Sequence, residues 1–231
     1  MKKTAEHNHW DAVWKGDEYA NEELRKIKAK VKVDRLLNHI AITNSWKIID
    51  FGCGPGYVSE EIYRRSHCDI TCVDSSEVAI NMAKKRLESY PVRFVHSDVC
   101  TTNLPSGNYD LVVCCGIIEH IHNRDIFISE IYRLLKPGGY LFVVSSNLWS
   151  FIWPQRLIKQ IFHVWPFGYQ INMPVTALRK LVECNGFVVN VNERINDIGD
   201  YRFLGKIDNV ISKVFSNFGR YIVLVCEKRE A

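Results

Sequence analysis

Three glycines at every second position, Gly52, Gly54 and Gly56, follow directly on the run Lys47-Ile48-Ile49-Asp50-Phe51. Glycine takes positive φ without a Cβ clash and lets a ligand approach the main chain. Asp50 stands just before the first of them, and two more acids, Asp74 and Asp98, follow later in the chain, each after a short apolar run. An acid at the tip of the second strand of a nucleotide-binding unit is placed to accept both hydroxyls of a ribose. One at the tip of the third can accept from the exocyclic amine of an adenine. Taken singly, the glycines describe a tight turn and Asp98 a turn residue. Taken together, the glycines and the acids describe a site for a nucleoside cofactor.

The elements that must hold these residues are legible from pattern. Ile48, Ile49 and Phe51 make the apolar run of a strand buried on both faces of a parallel sheet. Tyr57 to Arg65 has helical spacing, so the unit reads strand, glycine turn, helix. Further strands are expected at 70–73, 92–96, 109–115 and 140–145, with helices at 76–90 (N-cap Ser75 or Ser76) and 124–135 between them. Lys136-Pro137-Gly138-Gly139 reads as a helix stop. This alternation implies right-handed crossovers and an α/β fold with a parallel sheet, whose ligands bind beyond the carboxyl ends of the strands. Ahead of it, Trp10 and Trp14 share one helical face, and Glu18 to Ile40 reads as a long helix whose basic run, Lys26 to Lys32, is expected to be a solvated face. After it, Thr176 is the expected N-cap of a helix ending at Asn185-Gly186, and 187–194 and 220–227 are the last strands. Gly205 to Phe218 reads as a helix or loop between them.

The 231 residues suit one α/β domain, and 47% apolar with 24% charged content is ordinary for a folded globule. A formal charge of +4 is too small to argue for nucleic acid. The eight cysteines include an adjacent pair and no Cys-x-x-Cys, which removes support for a zinc site and favours reduced thiols in a cytoplasmic protein. The polar start lacks the apolar core of a signal peptide, and no run is long enough to span a bilayer.

The segments Ile49-Asp50-Phe51-Gly52-Cys53-Gly54-Pro55-Gly56, Val73-Asp74, Ser97-Asp98-Val99, Tyr109-Asp110-Leu111-Val112, Ile118-Glu119-His120 and Leu134-Leu135-Lys136-Pro137-Gly138-Gly139 stand in one order across residues 46 to 146. In these the chain resembles the class I S-adenosylmethionine-dependent methyltransferases, and among them the small-molecule enzymes similar to those of ubiquinone and menaquinone biosynthesis. The third glycine comes one residue earlier than in a dehydrogenase. The resemblance implies a Rossmann-like seven-stranded sheet of order 3-2-1-4-5-7-6, the last strand antiparallel, with helices on both faces. It implies that Asp50 and the main chain of Gly52 and Gly54 hold the methionine end of S-adenosylmethionine (S-adenosylhomocysteine after transfer), and that Gly56 and Ser75 are also cofactor-binding residues. Asp74 would bind the ribose, and Asp98 with Val99 the adenine. The Cys115 main chain would lie beside the sulfonium. Some relatives bind a divalent ion through Glu-x-x-Glu-His; here the first position is Gly116, so no metal is expected.

The division expected is an N-terminal helical lid at 1–45, a cofactor-binding core at 46–146, a substrate lid at 147–175 and a C-terminal helix with strands at 176–231. No Asp or Glu occurs from Ile131 to Val182, a stretch holding several arginines, lysines and aromatic residues. This segment reads as aromatic packing on the sheet edge, as a lid over an apolar, aromatic or anionic acceptor, or as a membrane contact. Trp10, Trp14, Trp153, His163 and Tyr169 are the lid candidates. Methyl transfer is an in-line displacement in which positioning does much of the work. An oxygen acceptor is helped by a general base, for which His120 and Glu119 are candidates, each with a structural role open beside it. The expected function is methyl transfer to a small molecule, at oxygen. The alternatives are a nucleic-acid methyltransferase and a cofactor-binding regulator without catalysis.

Overall fold

The computed structural model describes residues 2–16, 21–150, 152–162, 165–196, 207, 210–215 and 217–229. Seven strands form one sheet of order β3-β2-β1-β4-β5-β7-β6. They are β1 (Lys47–Phe51), β2 (Asp69–Asp74), β3 (Arg93–His96), β4 (Tyr109–Cys115), β5 (Leu135–Ser146), β6 (Phe187–Ile195) and β7 (Tyr221–Lys228). The first five pair in parallel, whereas β7 runs antiparallel to both β5 and β6. The sheet expected from the family resemblance is the one observed.

The helices start where side chains can take up their first N–H groups. Asn21 accepts from Leu24 N at 2.9 Å to open α2 (Glu22–His39), and Ser76 accepts from Ala79 N at 3.1 Å to open α4 (Glu77–Arg86). Asn123 does the same for α5 (Arg124–Leu134), through Ile126 N at 3.2 Å. The helix α3 (Tyr57–Ser66) instead begins directly at Gly56, whose φ of +82° turns the chain out of the sheet. Ahead of these lies α1 (Lys2–Lys15), and late in the chain come α6 (Ile152–Ile161) and α7 (Val175–Cys184). One face of the sheet packs a core that includes Ile49, Phe51 and Phe127, with the last two rings 6.0 Å apart. The other face packs Ile48, Val113 and Phe142 against Val33, Leu36 and Ile40.

Several boundaries differ from the sequence reading. The Lys136-Pro137-Gly138-Gly139 segment ends α5 but also begins β5: Tyr109 pairs with Leu135 and Leu111 with Tyr140, with the register shift between them absorbing the extra residues. A Cβ at Gly139 would lie 2.9 Å from Lys136 O, so the bulge has no room for a side chain. The helix α4 stops at Arg86 rather than Tyr90, where Leu87 turns fully into the core. Thr176 does not cap α7: the cap position is Pro174, already extended at φ −68° and ψ 153°, and Thr176 lies inside the helix. The 205–218 segment falls partly outside the described residues. All eight cysteines are free.

Phe127 is fully buried between α5 and the sheet. Phe127→Ala is expected to lower unfolding free energy by about 3–5 kcal/mol, read from urea denaturation.

Candidate functional site

A cavity of about 1300 Å³ opens above the carboxyl ends of the strands. Its volume exceeds the ~300–1,000 Å³ common for a single small-molecule pocket. Asp50, Gly52, Gly54, Asp74, Ser75, Asp98, Val99, Cys115, Glu119, His120, Trp10, Trp14 and Tyr169 all line it. Gly56 and Trp153 do not. A Cβ on Gly56 would meet Leu87 Cδ1 at 2.9 Å, so this glycine is required by the packing of α3 on α4. Trp153 belongs to the outer face of α6 with Leu157, Ile158 and Ile161, all exposed; the helix turns Gln155, Arg156 and Lys159 to the cavity instead. This apolar face turned to solvent departs from the reading of the segment as aromatic packing on the sheet edge. His163 lies outside the described residues.

The glycine bend and the acids form one hydrogen-bonded unit. Gly52 N and Cys53 N both donate to Val73 O, at 2.8 and 3.1 Å, tying the bend to β2. Gly54 N donates to Asp74 Oδ2 and Ser76 N to Asp74 Oδ1, both at 2.9 Å. Each carboxylate oxygen thereby keeps a lone pair for a ligand hydroxyl. Asp98 Oδ1 accepts from Cys100 N at 2.8 Å, which fixes the loop after β3. Asp50 is 2% exposed and accepts from Ser59 Oγ at 2.6 Å. Its pKa is pushed up to about 6, chiefly by burial, against the opposing pull of Ser59 and Lys32. Burial also raises the Asp74 carboxyl.

The roof of the cavity comes from α1. Trp14 lies so close to Gly54 that a Cβ there would be 2.8 Å from its ring, and at φ +52° that position is a glycine position in any case. Trp10 meets His120 edge to face at 4.9 Å. Asp11 fastens the helix below by accepting from Ser76 Oγ and Val78 N at the start of α4. On the far side, Tyr169 stacks on His122 with ring centres 3.7 Å apart, and Ile171 N donates to Glu119 O at 2.9 Å.

His120 Nδ1 lies 2.7 Å from Tyr169 O. A carbonyl only accepts, so Nδ1 carries the proton and the neutral ring keeps its lone pair on Nε2. Burial holds the His120 pKa below the ordinary histidine value, which favours that neutral form. Glu119 is engaged otherwise: it is 3% exposed and its oxygens accept from Ser145 Oγ at 3.1 Å and Ser146 N at 3.3 Å. Its carboxylate braces the end of β5 against the turn at Ile118–His120. Among the described residues no group of three His, Cys, Asp or Glu is arranged to hold a metal ion.

Sequence reasoning missed His9, Arg25, Lys28, Lys32, Ser59 and Arg220. The expectation of a wholly solvated basic face on α2 is corrected: Arg25, Lys28 and Lys32 are half-buried along the cavity wall, while Lys26 and Lys30 are exposed. The signal was the spacing of three and four residues among Arg25, Lys28 and Lys32, which places them on one stripe. Nothing local marks Ser59 or Arg220.

The methyltransferase domain family matches residues 49–143. An uncharacterized methyltransferase of Mycobacterium tuberculosis is 31% identical over 117 residues, 51% of this chain and 59% of that protein. The mitochondrial ubiquinone biosynthesis O-methyltransferase of Schizosaccharomyces pombe is 30% identical over 162 residues, 66% of this chain and 56% of that protein. The chain thus spans a little over half the length of these curated relatives. Among solved structures, the methyltransferase in complex with the Haloferax volcanii Trm112 activator superposes with a TM-score of 0.74 at 16% identity, covering 95% of this chain and 97% of that one. A 4+2 cyclase superposes at 0.67 and 19% identity, covering 87% of this chain and 81% of that one. At these identities the superpositions establish the fold alone.

Above pH 6 the ionised Asp50 bears its full burial penalty in the folded state; below its ordinary value of 3.8 the penalty is absent. The displacement from 3.8 to about 6 corresponds to about 3 kcal/mol. Asp50→Asn keeps an acceptor for Ser59 and removes the charge. At pH 7.5 it is expected to raise the Tm of the ligand-free protein by about 6–12 °C, and the gain should vanish towards pH 4. A lower Tm for the variant at pH 7.5, by scanning calorimetry, would refute the assignment. In the matched domain, the strand order with its inserted antiparallel strand and the glycine-acid unit, this chain is similar to the class I S-adenosylmethionine-dependent methyltransferases.

Proposed function

We propose that the protein transfers the methyl group of S-adenosylmethionine to an oxygen atom of a small-molecule acceptor. The observation that carries this reading is the common cavity in which the acids of three strand tips and His120 face one another. The cofactor residues fit their group by chemistry. Asp50 offers a buried acceptor to the ammonium, Lys32 a cation to the carboxylate, and the two part-used oxygens of Asp74 suit the ribose hydroxyls. When bound, the cofactor supplies an electrophilic methyl carbon. The chain's own part is to orient the acceptor, exclude water beneath α1 and take up the hydroxyl proton.

His120 takes that proton at Nε2, with Nδ1 held by Tyr169 O. Trp10 and Trp14 act as the lid, covering the site after the cofactor has entered. The oxygen acceptor is supported by this neutral histidine and by the similarity to ubiquinone biosynthesis O-methyltransferases. The +4 charge gives no support to a nucleic-acid substrate. Among the described residues no helix is long and apolar enough to cross a membrane.

Calorimetry with S-adenosylhomocysteine tests the cofactor half. Wild-type protein should bind it, and Asp74→Ala should weaken binding at least tenfold; equal affinity sinks the reading. Labelled cofactor and a metabolite extract should yield methylated product. His120→Asn should cut kcat by about 10²–10⁴ and flatten the acidic limb of its pH profile, with cofactor affinity kept. A cofactor-binding regulator would give binding without product.

A further inference from the structure

An ordinary surface helix turns its apolar stripe to the core. Helix α6 has such a stripe, Trp153, Leu157, Ile158, Ile161 and Phe162 at spacings of three to five residues, and all five are exposed. Exposure grows along it, reaching 63% at Ile161 and 71% at Phe162. The opposite side, with Gln155, Arg156 and Lys159, lines the cavity, so the stripe has no core beneath it to enter. The orientation of the helix is held locally. Pro154 suits its first turn, Trp153 N donates to Ser150 O at 3.1 Å, and Gln160 Nε2 donates to Gln170 O at 3.2 Å.

A second exposed run adjoins the first. Trp149, 53% exposed, accepts at its carbonyl from Gly219 N at 2.9 Å, and the Asn147 side chain ties it to Asn217 O and Gly219 O. The chain leading to that junction carries Val210, Val214 and Phe215, again at helical spacing and again exposed. Among the described residues, most of the large apolar side chains left exposed lie in these two segments. Apolar surface gathered in this way marks an interaction site, whereas scattered exposed residues do not.

Charge distinguishes the occupants. The sequence has no Asp or Glu from Ile131 to Val182 and none from Val210 to Cys226. Lys159 and Lys213 stand exposed in the two segments. A second copy of the chain would set lysine against lysine across this face, with no acid from either segment between them. An anionic lipid surface complements it: acyl chains take the apolar stripe, and headgroups take the lysines and the tryptophan edges.

We propose that α6 and the 210–215 segment form a docking face for an anionic lipid bilayer, with the α6 stripe lying in the interface plane. Because α6 also lines the cavity, docking brings the mouth of the cavity to the membrane surface. The face lies outside the proposed catalytic site and stands whether or not the methyltransferase reading does.

The test is co-sedimentation of the full chain with vesicles of phosphatidylcholine alone and of phosphatidylcholine mixed equally with phosphatidylglycerol. The wild type should bind the mixed vesicles about tenfold more tightly than the neutral ones. Ile158→Glu/Ile161→Glu should weaken binding to the mixed vesicles by about tenfold or more, with Tm unchanged because both positions are exposed. Phosphatidylglycerol brominated in its acyl chains should quench the tryptophan emission of the bound wild type. No binding by the wild type, equal binding to both compositions, equal binding by the double variant, or binding without quenching overturns the proposal. If the double variant does not fold, Phe162→Ser decides: its vesicle affinity should fall by about threefold or more, and an undiminished affinity overturns the proposal. A lipid-free dimer in analytical ultracentrifugation that the double variant abolishes would assign the face to a second copy and overturn it as well. S-adenosylhomocysteine has no part in these measurements, so failure here and failure of the methyltransferase reading are separate results.

Discussion

Asp50 sits at the tip of β1 where almost no solvent reaches it, and most of the site is arranged around that burial. Ser59, one turn into α3, is there to donate to it, and the glycine bend between them is what brings the helix back over the strand. A carboxylate in this position is poorly stabilised until a cation arrives. The ligand-free fold therefore holds a group whose cost a bound ammonium would offset, a common form of stability given up for function. Asp74 solves the neighbouring problem differently. It spends half of its hydrogen-bonding capacity on Gly54 and Ser76, so that it organises the bend and still has lone pairs to offer.

The same economy of position governs the roof. Helix α1 carries two tryptophans on one stripe. Trp14 presses on Gly54 and Trp10 meets His120. One short helix thus touches two regions of the cavity. It is attached to the first turn of α4 through Asp11. Helix α6 shows the opposite arrangement to an ordinary amphipathic helix. Its basic side chains face the cavity, and Trp153, Leu157, Ile158 and Ile161 face outward.

The strands and most helices could be read from the chain because their causes are local. Apolar runs of strand length, Ser76 ahead of α4 and Pro137-Gly138-Gly139 after α5 each act through their near neighbours. The misplacements arose where tertiary packing overrode such signals. Leu87 ended α4 early by turning into the core, and the bulge opposite Tyr109 and Leu111 drew Lys136 to Gly139 into β5. Pro174, extended by its own ring, took the cap position that Thr176 was expected to hold.

The sequence by itself determined the glycine-acid half of the cavity, since a glycine bend and an acid at each strand end are set by the strand-turn-helix repeat. Only the tertiary structure decided which residues line the rest of the cavity. Arg220 reaches the cavity because β7 inserts antiparallel between β5 and β6, which brings its first residues to the carboxyl edge of the sheet. Lys32 and Trp14 reach it because α1 and α2 fold over the glycine bend. Contacts of that kind join residues far apart in the chain, and no periodicity or spacing within a segment encodes which distant segment will lie opposite.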